Sequence, residues 1–433
     1  MPFTSLRGFR DYPPPEGGAR SEILRRMRSV ARRCGFQELE TPSVESLELY
    51  KVKSGEEIGK EVWGFVDKGG REVALTPETT PSLARIFVDR AKSEPLPVKW
   101  FTISKLWRYE EPQAGRTREF TQFNLDILGV EGIEADAEIL ATSALILDEA
   151  GAQGLYAFRL NDRELADALG AHFGATDRPR YFRALDRYRK EERSVTAAEL
   201  AASGVADDAR EKLLALLEET RAGVPVAEAA DLLDRMDGWA LPDPGPRALA
   251  RLRKLLDTLD AVGVADRVFL DLTVVRGLAY YTSTVFEAFD RAGEQRALFG
   301  GGRYDQLVEL FGGPPTPACG LAIGDQTLEI LLRAHERWPR GEPGLDTYVV
   351  AVTPAEVPMA LRWVRRLRAA GLSADCDLMA RSLSRQLKEA ARRGSRRAIL
   401  LGPRELARGV VVERDLTTGA QRECPPEELL PGA

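Results

Sequence analysis

The segment 101–126 constrains the chain most, because charged and polar side chains alternate there with apolar ones. The alternation is clearest in its second half. Phe120, Gln122, Asn124 and Asp126 fall on one face of a strand, whereas the intervening residues are mostly apolar and suit a core. The segment therefore predicts a strand, a loop and a second strand that displays a row of polar groups. Such a row is typical of a recognition surface.

The first half of this segment and its loop carry the cations. If residues 105–110 form a strand, Arg108 and Glu110 point to the same face, because side chains alternate with a period of two. The loop, residues 112–118, contains the proline and glycine of a hairpin turn and includes Arg116 and Arg118. Arg and Glu on a strand also form solvated ion pairs of little energetic value. The density of charge over the whole run favours a site for a phosphorylated ligand.

Length and composition indicate a large globular protein. A chain of 433 residues, of which 44% are hydrophobic, predicts two or three domains with ample core. No apolar run approaches the roughly 18 to 20 residues needed to cross a bilayer, and the first ten residues lack the apolar stretch of a signal peptide. We therefore expect a cytoplasmic protein with no membrane partner.

Residue counts limit the possible metal and nucleic-acid chemistry. The four cysteines have no paired spacing, and the two histidines, His172 and His335, lie far from any candidate cluster. We expect no metal held by His or Cys, so the chemistry must use Arg, Glu, Gln and Tyr with a metal brought by the substrate. The net charge of −6 does not favour a general nucleic-acid binder, and no DNA partner is expected.

Three short sequences resemble those of one enzyme family. Residues 112–120, Pro-Gln-Ala-Gly-Arg-Thr-Arg-Glu-Phe, resemble motif 2 of the class II aminoacyl-tRNA synthetases in its histidyl-tRNA synthetase form. Residues 276–282, Arg-Gly-Leu-Ala-Tyr-Tyr-Thr, and residues 300–305, Gly-Gly-Gly-Arg-Tyr-Asp, resemble the two histidine signatures of that family. A glycine triplet is also common in a tight turn before a helix. A Walker phosphate loop is excluded because no Gly-Lys-Ser/Thr follows.

The resemblance implies an α+β class II synthetase core with an antiparallel sheet flanked by helices, a helical insertion and a C-terminal α/β domain. The corresponding segments are 1–160 with motifs 1 and 2, 161–262 for the insertion, 263–338 with the histidine signatures and motif 3, and 345–433 for an anticodon-binding-like domain. Residues 269–287 are rich in β-branched and aromatic residues and predict a strand containing Arg276. Alternating strands and helices between residues 347 and 402 predict a parallel sheet.

The resemblance also implies ATP-dependent ligation of L-histidine to tRNA(His) through a histidyl-adenylate. The enzyme is then expected to be a homodimer that uses ATP as a substrate together with Mg²⁺. The implied catalytic residues, at the α-phosphate, are Arg108 and Arg276. The implied ATP-binding residues are Arg108, Glu110, Arg116 and Arg118. The implied histidine-binding residues are Glu78, Gln122, Asp126, Tyr280, Tyr281 and Tyr304.

Two departures from the family pattern leave other functions open. Many relatives have Arg where this chain has Thr76, and residues 324–328 read Gly-Asp-Gln-Thr-Leu where most class II enzymes have Gly-x-Glu-Arg-Leu. Arg116 or Arg118 is then expected to reach the distal phosphates in place of an arginine near Thr327. The departures also suit a non-catalytic, histidine-sensing paralogue that regulates histidine biosynthesis. A third interpretation is a tRNA-binding or structural dimer that does not activate histidine.

Overall fold

The structure is a computed structural model that describes residues 3–54, 61–113, 115–189, 191–276, 280–291, 297–341 and 344–429. The chain divides into two compact units, Met1–Arg340 and Gly341–Ala433. No helix among the described residues has both the length and the apolarity that a bilayer crossing requires.

The first unit contains the strands β1 (Gln37–Glu38), β2 (Val44–Ser46), β3 (Gly64–Val66), β4 (Glu72–Leu75), β5 (Val98–Trp107), β6 (Glu119–Leu128), β7 (Tyr156–Asp162), β8 (Val224–Pro225), β9 (Val268–Leu270), β10 (Thr284–Asp290), β11 (Phe299–Arg303) and β12 (Ala318–Gly324). The second unit contains the strands β13 (Thr347–Ala351), β14 (Ala374–Cys376), β15 (Arg397–Leu401), β16 (Val411–Asp415) and β17 (Gln421–Cys424).

The α-helices of the first unit are α1 (Glu16–Arg33), α2 (Leu47–Ser54), α3 (Thr80–Arg90), α4 (Glu134–Leu147), α5 (Arg163–His172), α6 (Arg178–Arg187), α7 (Arg193–Ala202), α8 (Asp207–Arg221), α9 (Val226–Asp237), α10 (Gly245–Ala261), α11 (Leu307–Leu310) and α12 (Asp325–Ala334). Those of the second unit are α13 (Val357–Ala369), α14 (Leu383–Arg392) and α15 (Pro403–Ala407). Short 3₁₀ turns cover Ala265–Arg267, Pro354–Glu356 and Pro426–Glu428, and a π-helical turn covers Asp148–Ala152.

The main sheet of the first unit has, within the described residues, nine strands in the order β1-β5-β6-β12-β11-β10-β7-β9-β8. Every neighbouring pair from β5 to β7 is antiparallel. Near the edges, β1 joins β5 and β9 joins β7 in parallel. The predicted core, a large sheet with an antiparallel centre flanked by helices, is thereby confirmed. A second, smaller sheet has the order β2-β4-β3.

The alternation predicted from the sequence is present in β6. Phe123 and Leu125 are buried in the main hydrophobic core, which also takes in Met27 of α1 and Leu140 of α4. Because neighbouring side chains of a strand point to opposite faces, the even-numbered residues of β6 face away from this core. The packing of the odd-numbered residues therefore fixes where the polar row lies.

A helical insertion was predicted between β7 and β9. The described residues there form helices α5 to α10 and the short strand β8. Helices α8 and α10 bury leucines such as Leu213, Leu217, Leu252 and Leu256 at the spacing of amphipathic helices. These helices belong to the same compact unit as the main sheet. The limits 161–262 stay a prediction.

The second unit contains, in its described part, a five-stranded sheet in the order β14-β13-β15-β16-β17. β13 runs parallel to β14 and β15, but β15, β16 and β17 are antiparallel. The parallel sheet predicted for residues 347–402 is therefore confirmed in β13, β14 and β15. The hairpin of β16 and β17 beyond residue 402 adds two antiparallel strands that were not predicted. Trp363 of α13 and Ala390 of α14 belong to different hydrophobic clusters.

One local prediction in the second half of the core is wrong. Arg276 lies in a loop and not in a strand, because β9 ends at Leu270, and the Asp271 carboxylate accepts a hydrogen bond from the Thr273 backbone N–H at 3.0 Å. Such a side-chain turn competes with strand pairing. The neighbouring residues 277–279 lie outside the described residues.

The glycine triplet 300–302 forms part of strand β11, although such a triplet is common in a tight turn before a helix. The neighbouring strand explains the glycines. A Cβ on Gly301 would lie 2.4 Å from the carbonyl oxygen of Gly320, which is closer than real Cβ contacts. Only glycine allows β11 and β12 to approach as they do.

Candidate active site

A cavity of about 600 Å³ opens on the polar face of the main sheet. Predicted site residues from three separate parts of the sequence line it together: Glu78, Arg108, Glu110, Arg116, Gln122, Arg276, Tyr280 and Tyr281. Arg118, Asp126 and Tyr304 are not among the lining residues. The predicted set is thus divided into a group at the cavity wall and a smaller group beside it.

The floor of the cavity is the even-numbered face of β6. Phe120, Gln122 and Asn124 all line it. β12 supplies the neighbouring wall, where Gln122 pairs with Gly324 and Asn124 with Ala322. The small residues of β12 leave the side chains of β6 accessible from the cavity.

Asp126 continues the same row but is buried, with 2% of its surface exposed. The Tyr304 hydroxyl donates a hydrogen bond to Oδ1 of Asp126. The other oxygen, Oδ2, is buried and has no hydrogen-bond partner among the described residues. Burial raises the pKa of Asp126 to about 7, although the bond from Tyr304 acts in the opposite direction.

Glycine also makes room for the buried pair of Asp126 and Tyr304. A Cβ on Gly320 would lie 2.3 Å from Oδ1 of Asp126 and 2.9 Å from the Tyr304 hydroxyl oxygen. A row of three tyrosine rings runs from Tyr304 to the cavity. Tyr304 lies edge-on to Tyr280 with 5.9 Å between ring centroids, and Tyr280 lies 4.6 Å from Tyr281, both of which line the cavity.

Glu78 lies at the N-terminal end of α3, at the cavity wall. Burial raises the pKa of Tyr280 well above its ordinary value, and the negative charge of Glu78 acts in the same direction. Glu78 therefore lies close enough to Tyr280 to act on it electrostatically. Thr76 is buried, and its hydroxyl donates to the carbonyl of Pro42 at 3.0 Å. It therefore contributes to local structure and is not among the lining residues.

The entrance to the cavity carries a carboxylate between two guanidinium groups. Glu110 lies 3.8 Å from Arg108 and 3.4 Å from Arg116. Arg108 Nε also donates to the carbonyl of Pro77 at 3.0 Å, and its guanidinium lies over the ring of Phe120. β5 ends at Trp107, so Arg108 and Glu110 lie just beyond the strand that was expected to contain them.

Arg118 has a structural environment that differs from that of Arg116. Its guanidinium lies over the Tyr109 ring at 4.5 Å, and its Nε donates to the Glu110 carbonyl at 3.1 Å. Its side chain also fills the space beside Gly8, where a Cβ would come within 2.7 Å of it. Arg118 therefore packs the loop against the N-terminal segment in this structure.

Arg276 reaches the cavity from the loop after β9. Its Nη1 lies 2.5 Å from Oε1 of Glu287 on β10. A Cβ on Gly300 would lie 2.5 Å from Arg276 Nη1, so the glycine provides the space for the guanidinium. The Arg276 backbone has a φ of 54°, in the left-handed region that non-glycine residues rarely adopt.

The start of α12 has polar residues, including Thr327, where most class II enzymes have the motif 3 arginine. These residues make hydrogen bonds within the protein. Asp325 accepts hydrogen bonds from Arg20 Nε at 2.8 Å and from the Thr121 backbone N–H at 3.1 Å. Thr327 lines the cavity and donates to the carbonyl of Leu298 at 2.7 Å. A Cβ on Gly115 would lie 3.6 Å from Thr327. The loop that carries Arg116 therefore lies directly against the helix that lacks the arginine.

The site also contains three residues to which no individual role was assigned from the sequence: Asn124, Glu61 and Glu287. Asn124 lines the cavity, and its buried Oδ1 has no hydrogen-bond partner among the described residues. Its place between Gln122 and Asp126 on one strand face was a usable signal. Glu61 lines the cavity and Glu287 pairs with Arg276. Neither contact follows from spacing along the chain, so only the tertiary structure shows that both residues belong to the site.

No group of three or more His, Cys, Asp or Glu in the described part of the chain is arranged to hold a metal ion. The carboxylates at the cavity wall include Glu61, Glu78 and Glu110. Mg²⁺ is commonly held by one or two carboxylates together with substrate phosphates. The partly exposed carboxylate of Glu110 fits a metal that arrives with a nucleotide.

Comparison with known families agrees with this architecture over both units. The family model described as "Histidyl-tRNA synthetase" matches residues 8–328. A second model, described as "Anticodon binding domain", matches residues 346–432. The first match covers the sheet, the cavity and the helical segment, and the second covers the C-terminal sheet.

Individual relatives match over nearly the full chain. The histidine–tRNA ligase of Opitutus terrae is 42% identical over 439 residues, which cover 99% of this chain and 97% of the relative. The histidine–tRNA ligase of Halobacterium salinarum is 40% identical over 426 residues, with 98% and 96% covered. The solved histidyl-tRNA synthetase of Nostoc sp. PCC 7120 shares the fold, with a TM-score of 0.85, 24% identity, and coverage of 99% and 98%. The chain therefore belongs to the histidyl-tRNA synthetase family.

Proposed function

We propose that this chain uses ATP to join L-histidine to tRNA(His), and that histidine activation takes place in the cavity on the polar face of the main sheet. The observation that carries the proposal is the convergence of Arg108, Arg116 and Arg276 on a cavity whose floor is the row from Gln122 towards Asp126. Cations for a triphosphate and hydrogen-bonding groups for an amino acid thus share one cavity.

ATP is assigned to the entrance. Glu110 now holds Arg108 and Arg116 by ion pairs of 3.8 and 3.4 Å, long enough for phosphate oxygens to compete for the guanidinium groups. Arg108 and Arg276 are assigned to the α-phosphate and Glu110 to orientation of the nucleotide. Arg116 is assigned to the distal phosphates, because its loop lies against the start of α12 near Thr327. Arg118 has weaker support, since its guanidinium packs on Tyr109.

L-Histidine is assigned to the β6 face and the tyrosines. Glu78 and Gln122 are assigned to its α-amino group, and their position at the cavity wall supports this assignment. Asp126 has a buried oxygen with no hydrogen-bond partner among the described residues, which suits an imidazole N–H donor. Tyr280 and Tyr281 line the cavity, and Tyr304 lies edge-on to Tyr280. A site that must satisfy buried polar groups rejects analogues that lack the matching donor.

The chemistry requires alignment and charge stabilisation more than proton transfer. A carboxylate oxygen of histidine attacks the α-phosphorus of ATP, the bond to the β-phosphate oxygen breaks, and pyrophosphate leaves. Arg108 and Arg276 stabilise the negative charge that develops on the phosphoryl oxygens. A terminal ribose hydroxyl of the tRNA then attacks the adenylate carbonyl, loses its proton and displaces AMP.

Mg²⁺ is proposed to accompany ATP, with Glu110 as its protein ligand. When bound, the metal would neutralise charge on the phosphates. Residues of the chain still orient the nucleotide, because Arg108, Arg116 and Arg276 line the cavity together with aromatic side chains such as Phe120.

A homodimer is supported by apolar residues exposed on the β2-β4-β3 sheet. Val44, Phe65 and Val66 are 41%, 50% and 65% exposed. Val44 and Phe65 pair with Leu75 and Val73 of β4, so these two lie on one face of the sheet, and exposed apolar residues that share a face mark interaction surfaces. Light scattering of the purified chain checks the proposal: a mass of two chains is expected, and Phe65→Glu with Val66→Glu should give one chain.

The domain limits 1–160, 161–262, 263–338 and 345–433 are retained as a proposal, with tRNA bound by the last segment, which matches the anticodon binding domain. A cytoplasmic location is likewise retained as a proposal. The boundary before the last segment is supported by the two family matches, which end at residue 328 and begin at residue 346.

Histidine-dependent exchange of pyrophosphate into ATP tests the function. A ligase exchanges pyrophosphate only when histidine is present, whereas a histidine-sensing paralogue binds histidine without exchange. Near full-length similarity to histidine–tRNA ligases does not favour the paralogue. We expect the wild-type chain to catalyse this exchange. In Arg276→Ala the rate of exchange should be at least about 100-fold lower. Absence of exchange in the wild-type chain contradicts the proposed activation.

A further inference from the structure

The loop that carries Arg276 is held by side chains from outside it. Asn161 at the end of β7 donates from Nδ2 to the carbonyls of Leu272 at 3.1 Å and Val274 at 3.0 Å. Arg163 donates from Nη1 to the carbonyls of Val275 at 2.6 Å and Arg276 at 2.9 Å. Backbone groups that strand pairing leaves open here are thus satisfied by two side chains of one short segment.

Arg163 is the first residue of α5, where the helical segment between β7 and β9 begins. Arg163 is half-buried, and its guanidinium lies over the Phe182 ring at 4.8 Å. Among the described residues it makes no ion pair with a carboxylate. A half-buried cation whose hydrogen bonds go to two backbone carbonyls fixes those carbonyls strongly, because charge-assisted hydrogen bonds are stronger than neutral ones.

The carbonyls that Arg163 holds flank a strained residue. Arg276 has a φ of 54°, and a non-glycine residue keeps such a conformation only when its surroundings enforce it. The left-handed backbone directs the side chain into the space beside Gly300, where it meets Glu287. Loss of the Arg163 contacts would allow the backbone to relax and move the guanidinium.

A second anchor from the same helical segment holds the start of the loop. Arg189, between α6 and α7, donates to the fully buried carboxylate of Asp271 and, at 3.1 Å, to the Thr273 hydroxyl. The same carboxylate accepts the Thr273 hydroxyl at 2.6 Å. Both ends of residues 271–276 are therefore tied to the segment between β7 and β9.

We infer that Arg163 is a positioning residue for histidine activation, which acts by holding the backbone of Arg276 in the conformation that places its guanidinium in the cavity. The helical segment thereby sets the geometry of the activation step as well as packing on the sheet. The inference rests on the role proposed above for Arg276.

A double-mutant cycle on pyrophosphate exchange tests it with Arg163→Met, Arg163→Lys and Arg276→Ala. We expect Arg163→Met to lower kcat about 10- to 100-fold, the scale of a misplaced catalytic group, with the KM for ATP changed less than about twofold. Arg163→Lys keeps a cation that reaches one carbonyl, and its loss should be about two- to fivefold. In the Arg276→Ala background, both substitutions should have no further effect.

Arg178→Met is the matched control. Arg178 belongs to the same segment and lies over the same Phe182 ring at 5.9 Å, but it pairs with Asp167 and not with the loop. Its kcat should equal that of the wild-type chain. Thermal unfolding of each variant shows whether the fold is kept. If Arg163→Met does not fold, the double-mutant cycle is measured with Arg163→Lys and Arg276→Ala.

The outcomes separate two failures. If Arg276→Ala leaves exchange unchanged, the proposed role of Arg276 is wrong, and the inference falls with it. If Arg276→Ala abolishes most exchange but the Arg163 variants are unchanged, or multiply their loss with that of Arg276→Ala, Arg163 does not act through Arg276.

Discussion

The Tyr304 hydroxyl donates to Oδ1 of Asp126, and Oδ2 of the same carboxylate is buried without a hydrogen-bond partner among the described residues. The two residues lie 178 positions apart in the sequence. Gly320 permits their contact, since a Cβ there would lie within 2.9 Å of both side chains. A half-satisfied buried carboxylate is costly to the fold, and a substrate that donates one hydrogen bond would complete it.

Substitution of Asp126 should separate histidine recognition from ATP binding. We expect Asp126→Ala to raise the KM for histidine or lower kcat by a combined factor of about 10³ or more, because the buried acceptor is lost. The KM for ATP should change less than about threefold, since ATP is assigned to the entrance. Pyrophosphate exchange at varied histidine and ATP measures both. Unchanged histidine-dependent exchange in this variant would remove Asp126 from the site.

Asp126 should also make stability depend on pH. Burial raises its pKa from 3.8 to about 7, so between these values the folded state binds a proton that the unfolded state has released. Its contribution to stability is therefore present below the unfolded value and is lost as pH rises through about 7. Asp126→Asn removes this titration and should be more stable than the wild-type chain at about pH 8, by on the order of 2 to 4 kcal/mol.

At about pH 5 the difference between Asp126→Asn and the wild-type chain should shrink, because Asp126 is then mostly protonated. Denaturant unfolding at both pH values measures the two free energies. A difference that stays constant with pH would show that Asp126 does not titrate in this range.

Arg116 and Arg118 should differ in their effects on ATP. Arg116→Ala removes a cavity cation that pairs with Glu110 at 3.4 Å, and loss of a charge-assisted hydrogen bond of about 1.5 to 3 kcal/mol predicts a rise of roughly 10- to 100-fold in the KM for ATP. Arg118→Ala removes packing on Tyr109 and should mainly lower thermal stability. Equal changes in the KM for ATP would contradict the different roles.

Gly300→Ala should damage the site through Arg276. The new methyl group would lie 2.5 Å from Arg276 Nη1 and 2.9 Å from the carbonyl oxygen of Phe286, and the latter belongs to a strand that cannot move freely. We expect kcat of exchange to fall at least about 10-fold and the free energy of unfolding to fall by about 1 to 3 kcal/mol. Gly238→Ala is the control, because its Cβ would meet no atom closer than 3.4 Å. Retained activity in Gly300→Ala would show that Arg276 adapts.

The sequence alone determined the polar row of β6 and the family of the chain. Strict alternation requires Gln122, Asn124 and Asp126 to share a face once Phe123 and Leu125 are buried, because a strand has a period of two. The short signatures around Arg108, Arg276 and Tyr304 indicated the correct family. These features depend on local order along the chain.

Tertiary structure alone decided which groups meet. The loop conformation of Arg276, its pairing with Glu287 and its support by Arg163 depend on contacts between residues distant in sequence. The sequence left open whether the glycines of β11 form a turn, and the close approach of β12 explains why they lie in a strand where a Cβ has no space. Local propensity determines which conformations a segment prefers, but close packing of separate strands and helices selects among them, because burial and hydrogen bonding outweigh those preferences.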